Sequence, residues 1–200
     1  MWRLFGWSLV MLLLVEAVTG VALSAFYSPS ATGAWASVAY VQDQMPMGWL
    51  VRGLHFHAAS AILIVAGVHL VQIALAGTYK APRSLVWWLG IVLLLLVLVF
   101  AISGYVLRWD QAGYWANRVE LGIASGTPVL GGAIRKIAIG GNEYGNLTLT
   151  RFYALHVIVL PVITLAGVIG HLVLARRHTP GTWSQGLRQA LVMAVVFAVL

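Results

Sequence analysis

The sequence predicts an all-α membrane protein whose main body is a bundle of four transmembrane helices. Of its 200 residues, 61% are hydrophobic and only 8% are charged, which soluble globular domains do not show. Long stretches lack Asp, Glu, Lys and Arg altogether, and three of them exceed the roughly 20 residues that a helix needs to cross a bilayer. Because a membrane barrel would show short alternating segments instead, the spans are predicted to be helices.

The four predicted spans follow one another along the chain. The first covers about residues 4–26 and is interpreted as a retained helix, because no small-residue cleavage site of a signal peptide follows it. The other three cover residues 53–79, 85–107 and 152–175.

The connections between the spans differ in length. The second and third spans are joined by a tight link that contains Pro82, whereas residues 108–150 form a long outer segment. Loops of that length are uncommon unless they have a function. Within it, residues 110–122 and 129–138 have the apolar spacing of short amphipathic helices at the membrane interface.

The last residues begin a fifth apolar helix that is too short to span a membrane. We therefore expect residues 1–178 to form the bundle, and residues 179–200 to form a linker and the start of a further helix. That helix either leads into a C-terminal domain of a longer chain or lies partly in the interface.

The net charge of +7 is distributed as in a membrane protein rather than a nucleic-acid-binding protein. Residues 27–50 contain no Lys or Arg. If the spans alternate, one side of the membrane carries basic residues and no acidic ones: Arg3, Lys80, Arg83, Arg176, Arg177 and Arg188. The positive-inside rule then places both ends of the chain in the cytoplasm.

The second and fourth spans each carry two histidines at nearly the same interval. His55 and His69 are 14 residues apart, and His156 and His171 are 15 apart. At about 100° per residue these intervals return to within roughly 40° and 60° of the same helix face, about 21 to 22 Å along the axis. Since both helices run inward, we expect His55 to pair with His156 near the outer leaflet, and His69 with His171 near the inner one.

Two facing histidines inside a membrane indicate a metal centre, because an unbound imidazole is costly there. Zinc or copper usually needs a third or fourth protein ligand, and no cysteine or carboxylate lies at matching depth. A haem iron needs only two axial ligands. The pattern therefore predicts two b-type haems with bis-histidine ligation, which suits electron transfer.

Glycines repeat the same interval on the two spans without paired histidines. Gly6 and Gly20 are 14 residues apart on the first span, as are Gly90 and Gly104 on the third. Such glycines would leave room for a flat porphyrin; ordinary packing of small residues between helices is the alternative.

Cations near the histidines are candidate partners of haem propionates. Arg52 precedes His55 by about one turn, and Lys80 and Arg83 follow the inner end of the same span. Arginine binds carboxylates bidentately. For Lys80 and Arg83, placement by the positive-inside rule is an equally good explanation.

Four stretches carry a family resemblance: "GWLVRGLH", "GTYKAPR", "ISGYVLRWDQAGYWA" and "LTLTRFYALHVIVLP". Over residues 6–175 the chain resembles the N-terminal, haem-bearing part of cytochrome b from bc-type quinol oxidoreductases. It is most similar to the short split form of photosynthetic membranes and some bacteria.

The resemblance implies a proton-translocating quinol:cytochrome c oxidoreductase, or one using a similar carrier. It implies a lower-potential outer haem, a higher-potential inner haem and an inner quinone site. The implied outer quinol pocket includes Tyr105, Trp109, Asp110 and Tyr114. The implied partners are a Rieske iron–sulfur protein, a c-type cytochrome, a C-terminal cytochrome b domain or subunit, lipid and a second copy of the complex. The implied location is a bacterial inner membrane or a thylakoid-like membrane.

Three features depart from that family. Arg108 occupies a position that is usually proline, the absence of cysteine argues against a covalent haem, and the Pro-Glu-Trp-Tyr motif of the C-terminal part is absent. The alternative function is a di-haem cytochrome b anchor of a dehydrogenase or hydrogenase, which lacks the "WDQxGYW" loop. Glu16 either joins a proton route or hydrogen-bonds a neighbour within the first span.

Overall fold

The described residues are largely helical and include no β-strand. The structure is a computed structural model and describes residues 4–141, 143–178 and 191. The helices are α1 (Leu4–Ser24), α2 (Ala34–Asp43), α3 (Gly48–Leu75), α4 (Ser84–Leu107), α5 (Gln111–Ser125), α6 (Gly131–Ile139), α7 (Asn146–Ala154) and α8 (Leu160–His178). A π-helical turn, Leu155–Val159, joins α7 to α8. Most of residues 179–200 lie outside the described residues, so the predicted fifth helix stays a prediction.

Four helical segments are long and apolar enough to cross a membrane: Phe5–Ser24, Gly48–Leu75, Ser84–Leu107 and Asn146–Arg177. They confirm the predicted all-α membrane class and the four spans. The second begins at Gly48 rather than residue 53, and the last at Asn146 rather than residue 152. The predicted starts were late because Arg52 and Arg151 were treated as boundaries, whereas helices continue through cations near the interface.

Apolar side chains on these helices point outward. Leu14, Ile64 and Leu75 are 56%, 68% and 84% exposed, respectively. In a soluble protein such a surface would be unfavourable, but lipid tails are as apolar as leucine. This exposure therefore fits an integral membrane protein.

The long segment of residues 108–150 contains the two predicted short helices, now α5 and α6. The Asp110 carboxylate caps α5 by accepting a hydrogen bond of 2.8 Å from the Gly113 N–H. Helix α6 ends at Ile139 and is capped by Gly140, whose φ of 82° lies in the left-handed region that favours glycine. Helix α2 was not predicted, since its residues were assigned to a loop.

The chain divides into two units by its contacts. Unit 1 comprises the described residues of Met1–Thr19, Gly53–Leu98 and Ile163–Leu200. Its core is small: Leu12, Ala58 and Ile62 are buried, with partly buried Leu, Val and Ala side chains around them.

Unit 2 comprises Gly20–Arg52 and Val99–Val162, and tyrosine contacts tie its segments together. The Tyr27 ring stacks on the Tyr153 ring with centroids 5.5 Å apart, and the Tyr27 hydroxyl donates to the Leu107 carbonyl at 2.8 Å. Burial, with a smaller contribution from Tyr153, raises the pKa of Tyr27 above its ordinary value. The hydroxyl therefore remains a donor at neutral pH.

Candidate functional site

A cavity of about 670 Å³ lies within unit 1, in the range of roughly 300–1,000 Å³ typical of cofactor sites. Its lining is mainly apolar. The polar or charged residues in the lining include His69 and His171, together with Thr78, Arg83 and Arg176. The two histidines that the sequence assigns to the inner leaflet thus line one cavity.

Each imidazole of this cavity has one ring nitrogen without a protein partner among the described residues. The Nδ1 atoms of His69 and His171 are buried and have no hydrogen-bond partner in the described part of the chain. An unpaired polar atom in an apolar interior costs free energy. A ligand that binds the imidazoles would offset that cost.

Glycine provides clearance beside both rings. A Cβ atom on Gly6 would lie 4.0 Å from Cε1 of His69, and one on Gly90 would lie 3.3 Å from Cε1 of His171. Larger side chains at these positions would extend into the space beside the rings. Gly6 of α1 and Gly90 of α4 therefore lie beside the two rings, and their role in haem clearance stays a prediction.

Lys80 and Arg83 are the two cations that the sequence suggests as propionate partners near the inner histidines. Arg83 lines the cavity, but Lys80 does not; its ammonium nitrogen lies 5.8 Å from the Tyr79 ring centroid. Arg176 also lines the cavity and was not predicted as a site residue. Its position five residues after His171 on the same helix was the available signal.

The side chains of this cavity fit a haem. Two imidazoles would supply iron ligands, two guanidinium groups would supply carboxylate partners, and glycine lies beside each ring. Among residues 4–141, 143–178 and 191, no group of three or more His, Cys, Asp or Glu side chains could hold a metal ion. Zinc or copper would lack its usual ligand set among them.

The π-helical turn of unit 2 contains His156. The Leu160 N–H donates to the Leu155 carbonyl, five residues back, where an α-helix uses a spacing of four. The π-helical turn contains one residue more than an α-helical turn. The 15 residues from His156 to His171 therefore rotate about the helix axis by about as much as 14 residues of regular α-helix. The angle between the His156 and His171 side chains, viewed down the helix axis, would be roughly 60° in a regular α-helix. With the π-helical turn it is roughly 40°, the same as for His55 and His69.

The His156 ring is held by a hydroxyl group. Ser103 Oγ lies 2.9 Å from His156 Nδ1 and donates to the Phe100 carbonyl at 3.1 Å. With its hydrogen on the Phe100 carbonyl, the hydroxyl would accept from Nδ1–H, and the contact orients the ring. A Cβ atom on Gly104 would lie only 2.8 Å from Cε1 of this ring.

The His55 ring of unit 1 has a similar arrangement. Thr19 Oγ1 lies 2.9 Å from His55 Nδ1 and donates to the Val15 carbonyl at 2.6 Å. Glu16 Oε2 lies 3.0 Å from the same nitrogen, so the expectation that no carboxylate lies at the depth of the histidines is wrong for His55. Of the two roles considered for Glu16, this geometry favours the hydrogen bond to a neighbour. Sequence reasoning missed Thr19 and Ser103, the hydroxyl partners of these imidazoles.

The predicted quinol-pocket residues form two small groups in unit 2. The Arg108 guanidinium carbon lies 4.8 Å from the Tyr105 ring centroid, and Arg108 forms an ion pair with Asp110. The Trp109 and Tyr114 rings meet edge to face with centroids 5.5 Å apart. Arg108, the departure from the family pattern, thus connects two of the predicted residues.

The remaining two predicted site residues also lie in unit 2. Arg52 donates from Nη1 to Gln42 Oε1 at 2.6 Å. Together with Arg108, Asp43 and Asp110 it lines a cavity of about 190 Å³. Gly20 lies in α1, four residues before that helix ends.

Paired histidines with glycine clearance in apolar helices define a membrane-embedded haem protein suited to electron transfer. Residues 1–179 match the family model described as cytochrome b/b6/petB. The chain belongs to this family.

Relatives with the printed name cytochrome b6 support the assignment. The chain is 37% identical over 165 residues to that of Euglena gracilis, covering 82% of this chain and 77% of the relative. It is 39% identical to that of Synechococcus sp. (strain JA-3-3Ab), with the same coverage. With that of Cyanidium caldarium it shares 36% over 174 residues, 87% of this chain and 81% of the relative.

A solved structure named "Hyperthermophilic respiratory Complex III" contains a chain of the same fold. The TM-score is 0.82 at 28% identity, over 91% of this chain. The present chain spans about half of that one, 49% of its length.

The protein is therefore a transmembrane cytochrome b subunit of the quinol oxidoreductase type, an integral membrane protein that binds haem b and works in a multi-subunit complex. The family match favours this class over the anchor of a dehydrogenase or hydrogenase.

Proposed function

We propose that the chain binds two b haems and serves as the transmembrane electron-transfer subunit of a proton-translocating quinol:cytochrome c oxidoreductase, or one that uses a similar carrier. The observation that carries the proposal is the cavity of unit 1, where His69 and His171 lie beside Gly6 and Gly90. When bound, each haem supplies an iron that accepts and releases one electron without changing its two imidazole ligands.

The chain's own residues have distinct roles at the inner site. His69 and His171 hold the iron, Gly6 and Gly90 leave space beside the imidazoles, and the Arg83 side chain binds a propionate. Arg176 is a second candidate for that last role, because it lines the same cavity. The apolar lining excludes water and keeps the site at low dielectric.

For the outer haem we assign His55 and His156 as axial ligands. Their sequence intervals to the inner pair are 14 and 15 residues. The contacts at Nδ1 support the assignment, because a hydroxyl group beside this nitrogen orients each ring. Gly20 and Gly104 provide clearance, and Arg52 binds a propionate of this haem.

We place quinol oxidation near the outer face, at the pocket of Tyr105, Trp109, Asp110 and Tyr114, and quinone reduction at an inner site. Two groups of contacts support the proposal: Arg108 contacts Tyr105 and Asp110, and the Trp109 ring contacts the Tyr114 ring. The proposed partners are a Rieske protein, a c-type cytochrome and the C-terminal part of cytochrome b, in a dimeric complex. We propose a bacterial inner membrane or a thylakoid-like membrane, with a cytoplasmic N-terminus.

Haem stoichiometry tests the proposal. The protein is purified from its membrane with its accompanying subunits, and haem b is measured per chain by the pyridine haemochrome method. Two haems are expected, falling to one in His69→Leu. His57→Leu is the matched control, because His57 lies on the same helix, is exposed and contacts the Phe56 ring. A chain without haem, or a His69→Leu variant that keeps both haems, would refute the proposal.

A further inference from the structure

The cavity of unit 1 reaches a layer of side chains near the middle of the four spans. Each span contributes one lining residue to this layer: Leu13, Ile62, Val97 and Thr164. Those of the first and third spans follow Gly6 and Gly90 by seven residues. Those of the second and fourth spans precede His69 and His171 by seven. Because seven α-helical residues return to within roughly 20° of the same face and advance about 10–11 Å, the layer lies about two turns from the inner histidines, on the same helix faces.

Thr164 is the polar member of this layer. Its residue is only 5% exposed, and its Oγ1 is buried without a hydrogen-bond partner within the described residues. Thr19 and Thr150 instead donate to carbonyls four residues back, at 2.6 and 2.9 Å, which is the common arrangement in helices. A buried hydroxyl without a partner costs free energy. Its position in the lining of a cofactor-sized cavity therefore indicates that it acts on what the cavity binds.

A hydroxyl group that is not bonded to a carbonyl can turn its O–H dipole. Hydroxyl dipoles orient in the local electric field, and their effect is larger in an apolar interior than in water. Reduction adds one electron to a haem. An O–H dipole that turns its hydrogen toward a haem therefore stabilises the reduced form more than the oxidised form. The hydrocarbon side chains of Leu13, Ile62 and Val97 carry no such dipole.

We infer that the Thr164 hydroxyl raises the reduction potential of the haem held by His69 and His171. The hydroxyl lines the same cavity as these two histidines, is buried, and has its hydrogen free for the bound group. The inference rests on the proposed function, because it requires a haem in the unit 1 cavity. It assigns part of the potential difference between the two haems to a neutral side chain in the middle of the fourth span.

Thr164→Val tests the inference, because valine has nearly the same shape and replaces only the hydroxyl by a methyl group. Haem potentials are measured by optical redox titration of the purified complex at one fixed pH. The reduction equilibrium constant of the inner haem should fall by about three- to tenfold, the range of one neutral hydrogen bond. A tenfold fall is about 59 mV for one electron. The outer wave should move less, and Thr164→Ser, which keeps the hydroxyl, should restore the wild-type inner potential.

Thr150→Val is the matched control, because the Thr150 side chain is exposed and its hydroxyl already donates to the Asn146 carbonyl; it should leave both waves unchanged. An unchanged inner potential in Thr164→Val, with both haems present, would overturn the inference and leave the proposed function intact. So would an equal shift in Thr164→Ser, which would assign the effect to packing, or loss of the inner haem from Thr164→Val, which would show a structural role. Absence of two haems in the wild-type protein would instead refute the proposed function.

Discussion

Replacement of Gly104 by alanine should destabilise the protein, although alanine normally stabilises a helix. The new Cβ would lie 2.8 Å from Cε1 of His156 and 3.5 Å from its Nδ1, and the first distance is shorter than real Cβ contacts. The ring cannot yield freely, because its Nδ1 is bonded to Ser103 and Phe100 packs against it edge to face.

The expected change in the free energy of unfolding combines two losses and one gain. Overpacking of this kind costs about 1–3 kcal/mol, and loss of the Ser103 hydrogen bond adds about 1 kcal/mol. Replacing glycine by alanine in a helix gains about 0.5–1 kcal/mol. The net loss for Gly104→Ala should therefore be about 1–3 kcal/mol, accompanied by loss of haem.

The assay is reversible unfolding in mixed detergent micelles, with haem content measured on the same samples. Gly67→Ala is the matched control, because nothing lies within 4 Å of a Cβ atom at that position of α3; it should be neutral or stabilising. Gly90→Ala, with a closest contact of 3.3 Å, should fall between the two. Equal stability and haem content in Gly104→Ala and Gly67→Ala would refute the clearance reasoning.

Three further substitutions test separate parts of the site. Ser103→Ala removes the Nδ1 partner of His156 and should weaken haem binding by about 10–100-fold, measured as transfer of haem to an apo-protein acceptor. Asp110→Ala should cost about 0.5–2 kcal/mol in thermal unfolding, whereas Asp110→Asn should cost less because asparagine also caps helices; equal losses would argue against the cap. Arg83→Gln should weaken retention of the inner haem alone, and a parallel loss of the outer haem would contradict the assignment of Arg83 to the unit 1 cavity.

Hydrophobicity was sufficient to predict the four spans, because a helix must satisfy its backbone internally inside a bilayer. The same criterion placed the starts of the second and fourth spans too late, because Arg52 and Arg151 interrupt the apolar runs. Helix α2 was missed because Ala34–Asp43 lacks a charge pattern and its N-cap residue, Gly33, makes no side-chain cap.

The histidine intervals predicted that His69 pairs with His171, and both residues line one cavity. Gly6 and Gly90, which begin the two glycine intervals, lie beside their rings. The π-helical turn at His156 could not be predicted, because its five-residue hydrogen bond depends on backbone winding that leaves no clear side-chain pattern.

Thr19 and Ser103 were missed for a different reason. Hydroxyl side chains inside helices commonly bond the carbonyl three or four residues back, and both residues do so. Their second contact, to an imidazole on another helix, depends on tertiary packing and becomes visible only in the structure.

Optical redox titration of the purified wild-type protein and of two histidine variants tests the di-haem function most directly. Two b-type waves are predicted for the wild type. Replacement of His171 should abolish only the higher-potential wave, and replacement of His156 only the lower-potential wave. A single wave, no haem, or loss of both waves from either replacement in a folded protein would contradict the assignment of two separate bis-histidine haems.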